Sequence, residues 1–346
     1  MKILLVNYHY HPSKTVAAAR VSFWAKTLSK KHEVYVLTNE KSCAAQYDEK
    51  VKCIGHIFKS FPSSINFFWG FNILYSLLTN IRRYDCILLS GSPFLYFWVT
   101  PILRLFSKKI ILDYRDPYAQ NPLHPKGRII NYVRSTFEKI VNFCATDVIT
   151  VNRVCANLIY AKDVKVIDNG FDNTQFDIVN EKYIDYDSPI SFFYGGKFST
   201  SRSIEPLLRY LGEKAKLNLY SPDSISHPHI NNYGLVSYKE FIENAMQYDI
   251  AILLVAGFDF ESTTKLFDYM AMRKPIVIIS ATGKVSSVML EYLSDYPFLL
   301  WNSEMDFGHS LQNLLHAHNR FIYEEFDVSR YSRTSTTKLL ELLIES

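Results

Sequence analysis

The sequence predicts an α/β protein with two doubly wound parallel sheets, each covered by helices on both faces. In the first half, short apolar runs alternate with segments of helical periodicity, which is the pattern of βαβ units. The same alternation begins again at Ser191, after a polar stretch at 173–188 that suits a link between domains. A length of 346 residues is enough for two domains. We therefore expect two similar domains that face each other, with a ligand in the cleft between them.

The first half contains the more regular alternation. Each predicted strand is an apolar run bounded by polar or turn-forming residues, and the helices carry apolar residues at helical spacing. The strands are predicted at 2–8, 33–38, 51–57, 86–90, 109–113, 147–151 and 164–167, and the helices at 16–28, 66–81, 95–106, 129–144 and 153–160. Ligands of parallel sheets bind beside the carboxyl ends of the strands. The loops at those ends begin at Tyr8, Ser90, Asp113 and Val151.

The loops of the first half hold few residues with catalytic chemistry. The loop after the first strand contains no glycine, so the G-x-G-x-x-G fingerprint of NAD-binding domains is absent. The fifth strand leads into Arg115 and Asp116. These two side chains could contact an acceptor sugar, or they could pair with each other and hold the chain reversal.

The second half opens with a strand that is followed directly by glycines and cations. Gly195 and Gly196 end the strand at 191–194, where two glycines allow a ligand to approach the backbone closely. Lys197 and Arg202 flank a loop rich in serine and threonine and could hold a diphosphate from two sides. The alternative is a βα loop with incidental cations. Further strands are predicted at 216–220, 250–255 and 276–279, and helices at 204–211, 238–246 and 265–272.

The stretch at 258–275 lies between two apolar runs that are typical of buried parallel strands. Ser262 is the expected N-cap of the helix at 265–272, and Pro275 ends that helix. The stretch therefore predicts a helix tip at the carboxyl end of a central strand.

That helix tip has the composition of an anion site. Thr263, Thr264 and Lys265 lie in its first turn, where free amides, the helix dipole and a lysine attract an anion. Asp268, one turn further on, would accept hydroxyl groups. The tip therefore suits a nucleotide sugar, with the diphosphate on the amides and the ribose on the carboxylate. An ordinary βαβ unit with solvated charges is the alternative.

Bulk composition excludes several classes of protein. An apolar fraction of 48% with 21% charged residues indicates a globular chain rather than a disordered one. Five widely spaced cysteines without a C-x-x-C pair indicate reduced thiols in a cytosolic protein rather than a disulfide or zinc framework. The longest apolar runs, at 67–78 and 94–106, are too short to span a bilayer, and no leader is expected before the first strand.

The net charge of +4 conceals a difference between the two halves. Residues 1–170 hold 23 Lys and Arg against 11 Asp and Glu, whereas residues 171–346 hold 15 against 23. A basic half favours an anionic partner, but without a dense basic stripe or a nucleic-acid motif we expect no nucleic acid. Aromatic residues interleave with cations as they do at a membrane interface, unless the aromatics are core and the cations a solvated rim. The segments are 57–61, 67–71, 82–83 and 103–109.

Six segments of the chain match, in order, the motifs of one family. They are the first strand with 10–12, then 18–21, 112–117, 166–172, 194–202 and 265–271. Along nearly its whole length the chain resembles glycosyltransferases of the GT-B type, and specifically the large retaining family 4. The resemblance implies two Rossmann-like domains, and a final helix at 331–345 that crosses back to brace the first domain.

The resemblance also implies roles for particular residues. Lys197 and Arg202 would bind the donor diphosphate, and Asp268 would bind the donor ribose. The first glutamate of the family's E-x7-E motif falls at Phe260. The nearest carboxylate is Glu261. Either the loop is shifted by one residue and Glu261 is catalytic together with Lys197 and Arg202, or that contact to the sugar is missing.

We expect that the protein needs neither a metal ion nor a cofactor. We also expect two sets of binding residues. The donor set is Gly195, Gly196, Thr263, Thr264, Lys265 and Asp268, and the acceptor set is Tyr10, Arg20, Arg115 and Asp116.

We therefore expect a glycosyltransferase with an acceptor domain at 1–170, a donor domain at 171–328 and a returning helix at 329–346. It would move a sugar, with retention, from a nucleotide-diphosphate sugar to a saccharide, which we expect to be lipid-linked, in the synthesis of a bacterial lipopolysaccharide, capsule or exopolysaccharide. It would be cytoplasmic and peripheral on the inner face of the membrane. The alternatives are a catalytically silent subunit that only binds a nucleotide sugar or a partner, and a nucleotide-sugar epimerase or phosphorylase on the same fold.

Overall fold

The chain is described by a computed structural model in two compact units. The first unit is Met1–Asn169 with Arg333–Ser346, and the second is Gly170–Ser332. The described residues are 1–13, 15–39, 52–54, 67–80, 84–124, 127–176, 182–280, 282–301 and 306–346. The predicted aromatic segment 57–61, the cations at 82–83 and parts of the predicted third strand and of the predicted link at 173–188 lie outside them.

The first unit is a parallel sheet of seven strands in the order β3-β2-β1-β4-β5-β6-β7. This is the strand order of doubly wound nucleotide-binding sheets, extended by one strand. Its strands are β1 (Lys2–Asn7), β2 (Glu33–Leu37), β3 (Lys52–Ile54), β4 (Cys86–Ser90), β5 (Lys109–Tyr114), β6 (Asp147–Thr150) and β7 (Val164–Val166). Its helices are α1 (Val16–Leu28), α2 (Trp69–Asn80), α3 (Thr100–Leu103), α4 (Arg128–Cys144), α5 (Arg153–Asn157) and the C-terminal α11 (Arg333–Glu345).

Alternation of side chains along the strands builds one core on each face of this sheet. In β1, Leu4 and Val6 belong to the core under α2, the segment 95–103 and α4. Ile3 and Leu5 belong to the opposite core, under α1 and α11. Buried apolar runs of this kind explain why the strands of the first unit could be predicted from sequence.

The predicted helix at 95–106 is wrong as a single helix. The chain forms a 3-10 turn at Leu95–Val99, and the α-helical turn α3 begins at Thr100. Pro101 follows Thr100 and has no backbone N–H to bond to the preceding turn, so the regular α-helical pattern can only start there.

The second unit is a parallel sheet of six strands in the order β10-β9-β8-β11-β12-β13. Its strands are β8 (Ile190–Gly195), β9 (Ala215–Tyr220), β10 (Ile230–Asn232), β11 (Ile250–Val255), β12 (Ile276–Ser280) and β13 (Phe298–Trp301). Its helices are α6 (Glu205–Leu208), α7 (Tyr238–Ala245), α8 (Thr264–Ala271), α9 (Ser287–Tyr292) and α10 (Phe307–Arg320). Numbered within the unit, the strands again follow the doubly wound order, so each unit is Rossmann-like, as predicted.

The C-terminal helix α11 returns to the first unit, as predicted. Leu340 and Ile344 are buried in the core that α1 and α11 share. At the rim of this contact, the Lys31 ammonium lies 3.1 Å from the Glu341 carboxylate. Exposed pairs of this kind contribute little, so burial of the apolar side chains holds the helix.

Two further findings concern the buried cysteines and the length of the apolar helices. Burial raises the pKa of the Cys86 and Cys155 thiols to about 12, so both remain protonated and unreactive. Within the described ranges, no helix is both long and apolar enough to cross a membrane.

Candidate functional site

The candidate site lies in the second unit, where the order of the sheet reverses direction. β8 and β11 are neighbours in the sheet, and the chain leaves them toward opposite edges. In doubly wound sheets the loops that follow such a strand pair diverge and leave a crevice for a ligand. Here those loops are 196–204, after β8, and 256–263, which leads from β11 into α8.

Glu261 holds the loop between β11 and α8. Its buried carboxylate accepts hydrogen bonds from the amides of Ala256 and Gly257, at 2.9 and 3.0 Å, and forms an ion pair with Arg202. Its carbonyl oxygen accepts the hydroxyl of Ser286 at 2.7 Å. Both carboxylate oxygens are therefore occupied, so Glu261 positions Arg202 and the loop.

Lys265 places a cation on the tip of α8. Its ammonium lies 4.8 Å from the centre of the Tyr194 ring and, among the described residues, pairs with no carboxylate. Burial, and next the charge of nearby Arg202, lower the pKa of Lys265 from 10.5 to about 8. Two cations thus converge on one spot, while the Glu261 carboxylate neutralises only Arg202. The arrangement favours an anion as the missing partner.

The start of α8 offers backbone donors to the same anion. Thr263, rather than the predicted Ser262, is the N-cap, because the helix starts at Thr264. The Thr263 side chain makes no capping hydrogen bond, and the Leu266 amide is bonded to the Thr263 carbonyl oxygen, so the amides of Thr264 and Lys265 are the ones available to a ligand. Thr263 and Thr264 are partly buried at this tip.

The two glycines after β8 have different roles. A Cβ atom on Gly196 would lie 2.0 Å from the Lys265 ammonium, and the φ angle of +148° favours glycine. A Cβ atom on Gly195 would instead meet the Phe241 ring at 2.5 Å. Gly196 therefore gives the Lys265 ammonium its space, whereas Gly195 allows the strand to pack on α7.

Asp268 presents a hydroxyl acceptor one turn along α8. Its side chain is buried and accepts a 2.6 Å hydrogen bond from the Tyr238 hydroxyl at the start of α7. The charge of Asp268 is close enough to raise the pKa of Lys265, against the larger opposing effect of burial. The anion site and the carboxylate thus share one helix.

Lys197 differs from Arg202 and Lys265 in its contacts. Its side chain is exposed and, in the part of the chain that is described, forms no ion pair. Its carbonyl oxygen accepts the hydroxyl of Tyr194 at 3.0 Å. Of the predicted cation pair, Arg202 is close enough to lower the pKa of Lys265 and is held by Glu261, whereas the Lys197 side chain is exposed.

The predicted acceptor residues all lie in the first unit, where two of them hold backbone in place. Arg20 is buried and donates hydrogen bonds to the carbonyl oxygens of Ile167 and Asp168, 2.8 and 2.9 Å away. Tyr10 is buried in the core beneath α1. Arg115 donates hydrogen bonds to the carbonyl oxygens of Gly91 and Ser92 and so connects the loops after β4 and β5. The neighbouring Asp116 is exposed.

Two residues of the site were missed by the sequence analysis. Tyr194 lies beneath the Lys265 ammonium, and its place just before the glycine pair was the available signal. Tyr238 is bonded to Asp268 from 30 positions away, and no local pattern indicates such a contact.

The lowered pKa of Lys265 predicts how anion binding depends on pH. The ammonium is charged below pH about 8 and neutral above it, so the affinity for a nucleoside diphosphate should fall as the pH rises through that value. Calorimetric titration between about pH 7 and about pH 10 measures this, and Lys265→Arg, which stays charged, should flatten the profile. The same decline in both proteins would show that Lys265 is not the group responsible.

Comparison with known proteins gives structural relatives only. No protein-family model matches the sequence, and no curated protein matches it at a significant level. HepE of Anabaena, solved with UDP and glucose, is similar at a TM-score of 0.67 and 13% identity, over 100% of this chain and 99% of that one. WaaG, a glycosyltransferase involved in lipopolysaccharide biosynthesis, is similar at 0.63 and 12%, over 97% of this chain and 99% of that one.

The UDP-GlcNAc 2-epimerase of Methanocaldococcus jannaschii is also similar, at a TM-score of 0.57 and 10% identity, over 100% of both chains. At such identities the likeness establishes the fold and no more. With its two Rossmann-like units and its returning helix α11, the chain has the GT-B glycosyltransferase fold.

Proposed function

We propose that the chain is a glycosyltransferase that moves a sugar from a nucleoside-diphosphate sugar to a saccharide acceptor. The observation that carries the proposal is the Lys265 ammonium, which lies half-buried at the tip of α8 and pairs with no carboxylate in the part of the chain that the structure describes. Arg202 adds a second cation, and the Asp268 carboxylate lies one turn away. A nucleoside diphosphate matches these groups because it carries a pyrophosphate beside a ribose.

The same groups would promote the departure of the nucleoside diphosphate. Negative charge develops on the bridging oxygen as the anomeric carbon becomes oxocarbenium-like. In our proposal Arg202, Lys265 and the first-turn amides of α8 stabilise that charge, and preorganised donors of this kind are usually the largest catalytic contribution. These groups would serve in place of a metal ion. We propose transfer with retention, which does not require a strong protein base.

We place the acceptor at the first unit, beside Arg115 and Asp116. Both follow β5 at the carboxyl edge of the sheet, where ligands of this fold bind. We further propose that the acceptor is a lipid-linked saccharide of a bacterial surface polysaccharide, such as lipopolysaccharide or capsule, at the cytoplasmic face of the membrane.

Two other functions remain candidates. The similarity to a UDP-GlcNAc 2-epimerase over the whole chain favours an epimerase, which would use the same nucleotide site without an acceptor. The engagement of Glu261 by Arg202 and two amides favours a subunit that binds a nucleotide sugar without turnover.

A panel of UDP-, GDP- and dTDP-sugars separates these functions. The protein is incubated with each donor, with and without synthetic lipid-linked saccharides, and the products are analysed by mass spectrometry and NMR. Acceptor-dependent release of nucleoside diphosphate with the donor's anomeric configuration kept in the product supports the proposal. An isomerised nucleotide sugar without acceptor supports the epimerase, and binding without turnover supports the silent subunit.

The hydrogen bond from Tyr238 to Asp268 predicts that the affinity for a nucleotide depends on its ribose hydroxyl groups. In Tyr238→Phe, the buried carboxylate loses a donor, and the affinity for a nucleoside diphosphate should fall by about tenfold, as for a lost bond to a charged group. Calorimetry with ribo- and 2′-deoxyribonucleoside diphosphates measures the effect, which should be smaller for the deoxy form. Tyr233→Phe is the control, because its hydroxyl lies 3.4 Å from Asn218 instead. Equal affinity of the wild type for both nucleotides would refute ribose binding at Asp268.

A further inference from the structure

Helix α4 presents a strongly apolar side to solvent, while its inward side carries the buried polar residues Glu138 and Asn142 beside the apolar Val141. Its outward residues are strongly exposed, with Phe143 at 89%, Ile129 at 80% and Tyr132 at 73%. Val133 and Ile140, also on this side, are more than half exposed. The usual arrangement of a surface helix is the reverse.

The inward side of α4 shows that this orientation is fixed. The buried Glu138 carboxylate accepts the amides of Ala119 and Tyr160, at 2.8 and 2.6 Å. Asn142, four residues on, accepts the Tyr114 hydroxyl at 2.9 Å and donates to the Tyr160 carbonyl oxygen at 3.1 Å. Turning the helix to bury its apolar side would break all four bonds. The exposed apolar side is therefore a built feature of the surface.

The apolar surface continues onto the neighbouring segments that cover the same face of the sheet. The Arg104 guanidinium, just after α3, donates to the carbonyl oxygen of Cys144 at the end of α4, which brings exposed Leu105 to this layer. On α2, Phe71 and Leu78 are exposed, at 48% and 63%. We call the outward side chains of α2, of the turn after α3 and of α4 the apolar face.

The exposed charges that the segments of the apolar face themselves carry have one sign, although Asp163 lies at the border beside Phe143 and Lys139. Arg104, Lys108, Arg128 and Lys139 are exposed there. The segments 69–80, 95–108 and 128–144 contain one acidic residue, Glu138, and its side chain is buried. A matching partner must be apolar at its centre and anionic at its surface, which describes a bilayer of anionic lipids. A second copy would instead bring these cations against one another.

We infer that the apolar face is the docking surface of this protein for an anionic lipid bilayer. The apolar side chains of α4 would enter the interface while Arg128 and Lys139 remain at the level of the lipid phosphates. Since α4 follows β5 in the chain, its first turn lies toward the edge of the sheet that carries Arg115 and Asp116. Docking would thus bring that edge to the membrane. That this edge would meet a lipid-linked acceptor there rests on the proposed function.

Vesicle sedimentation of the full chain tests the inference. We expect binding to vesicles of phosphatidylglycerol and phosphatidylcholine, weaker binding at high salt, and little binding to phosphatidylcholine alone. The double variant Ile129→Ser/Phe143→Ser should lose affinity for the anionic vesicles by at least about tenfold. Leu339→Ser/Leu342→Ser is the matched control, because these residues of α11 are also exposed, on the opposite face of the sheet, and it should bind as the wild type does.

Every outcome of these binding experiments supports or overturns the inference. Circular dichroism and nucleoside diphosphate binding, which we expect unchanged, verify that the variants are folded. No binding of the wild type to anionic vesicles, or equal binding by the α4 variant, overturns the inference. A wild-type dimer that the α4 variant converts to a monomer without vesicles would show that a second copy covers the face. Vesicle binding without sugar transfer would overturn the proposed function only, and transfer without vesicle binding would overturn this inference only.

Discussion

Replacing Lys265 with alanine should reduce the rate of sugar transfer by about a hundredfold or more, the usual cost of removing one preorganised donor. The ammonium forms no ion pair among the described residues, and the nearby Asp268 carboxylate keeps its hydrogen bond from Tyr238, so the removal of Lys265 breaks no ion pair. We therefore expect the variant to fold as the wild type does and to lose only the partner of the leaving diphosphate. Steady-state kinetics, with calorimetry of nucleoside diphosphate binding, measure the two effects separately.

Lys239→Ala is the control for this experiment. Lys239 is an exposed lysine on α7 of the same unit, and its pair with Glu243 spans one turn of that helix. Its removal should leave transfer unchanged. A Lys265→Ala variant that transfers sugar at nearly the wild-type rate would refute the role of the α8 tip.

Replacing Gly196 with alanine should weaken nucleoside diphosphate binding by about tenfold or more, on the scale of a lost hydrogen bond to a charged group. The added Cβ atom would lie 2.0 Å from the Lys265 ammonium, so the lysine must leave its place over Tyr194. The φ angle of +148° adds backbone strain in any residue other than glycine. Calorimetric titration of the variant with UDP and GDP gives the loss of affinity.

Gly212→Ala provides the matched control, because a Cβ atom there meets nothing within 4 Å and the substitution lies in the same unit. It should bind nucleotide as the wild type does. Wild-type affinity in Gly196→Ala would contradict the idea that this glycine makes room for the Lys265 ammonium.

The sheets could be predicted from sequence where the strands are buried on both faces. β4 and β11 are buried along their whole length, and in the sequence β11 is an unbroken apolar run and β4 is apolar up to Ser90. β10 and β13 were missed because they lie at the edges of their sheet, where β10 is short and partly exposed and β13 is only half-buried. The apolar spacing of α10 was visible at Leu311, Leu314 and Leu315, but the sequence analysis did not use it.

The candidate site could be predicted only in part. The glycines and Arg202 lie at the end of β8 and in the loop after it, and Lys265 and Asp268 lie in the helix that follows β11, so the rule that ligands bind at strand ends finds them. The partners of these residues come from elsewhere in the chain. Tyr238 reaches Asp268 from α7, and only the folded chain shows that both oxygens of Glu261 are engaged.

The exposure of the apolar side of α4 could not be predicted from the sequence, for a different reason. Periodicity shows that a helix has an apolar side, and we assumed that this side faces the core. Only the bonds of Glu138 and Asn142 show that these polar residues face inward. In the aromatic segment at 67–71, Phe67, Phe68 and Phe71 are exposed and Trp69 is buried, so the alternative that these aromatics are core holds for Trp69, and the membrane interface stays a prediction.

The most direct test of the central claim is a crystal structure of the protein with a nucleoside diphosphate bound. We predict phosphate oxygens within hydrogen-bond distance of the Lys265 ammonium, the Arg202 guanidinium and the first-turn amides of α8, with the ribose on Asp268. A diphosphate bound anywhere else, with the Lys265 ammonium still over the Tyr194 ring, would contradict the claim.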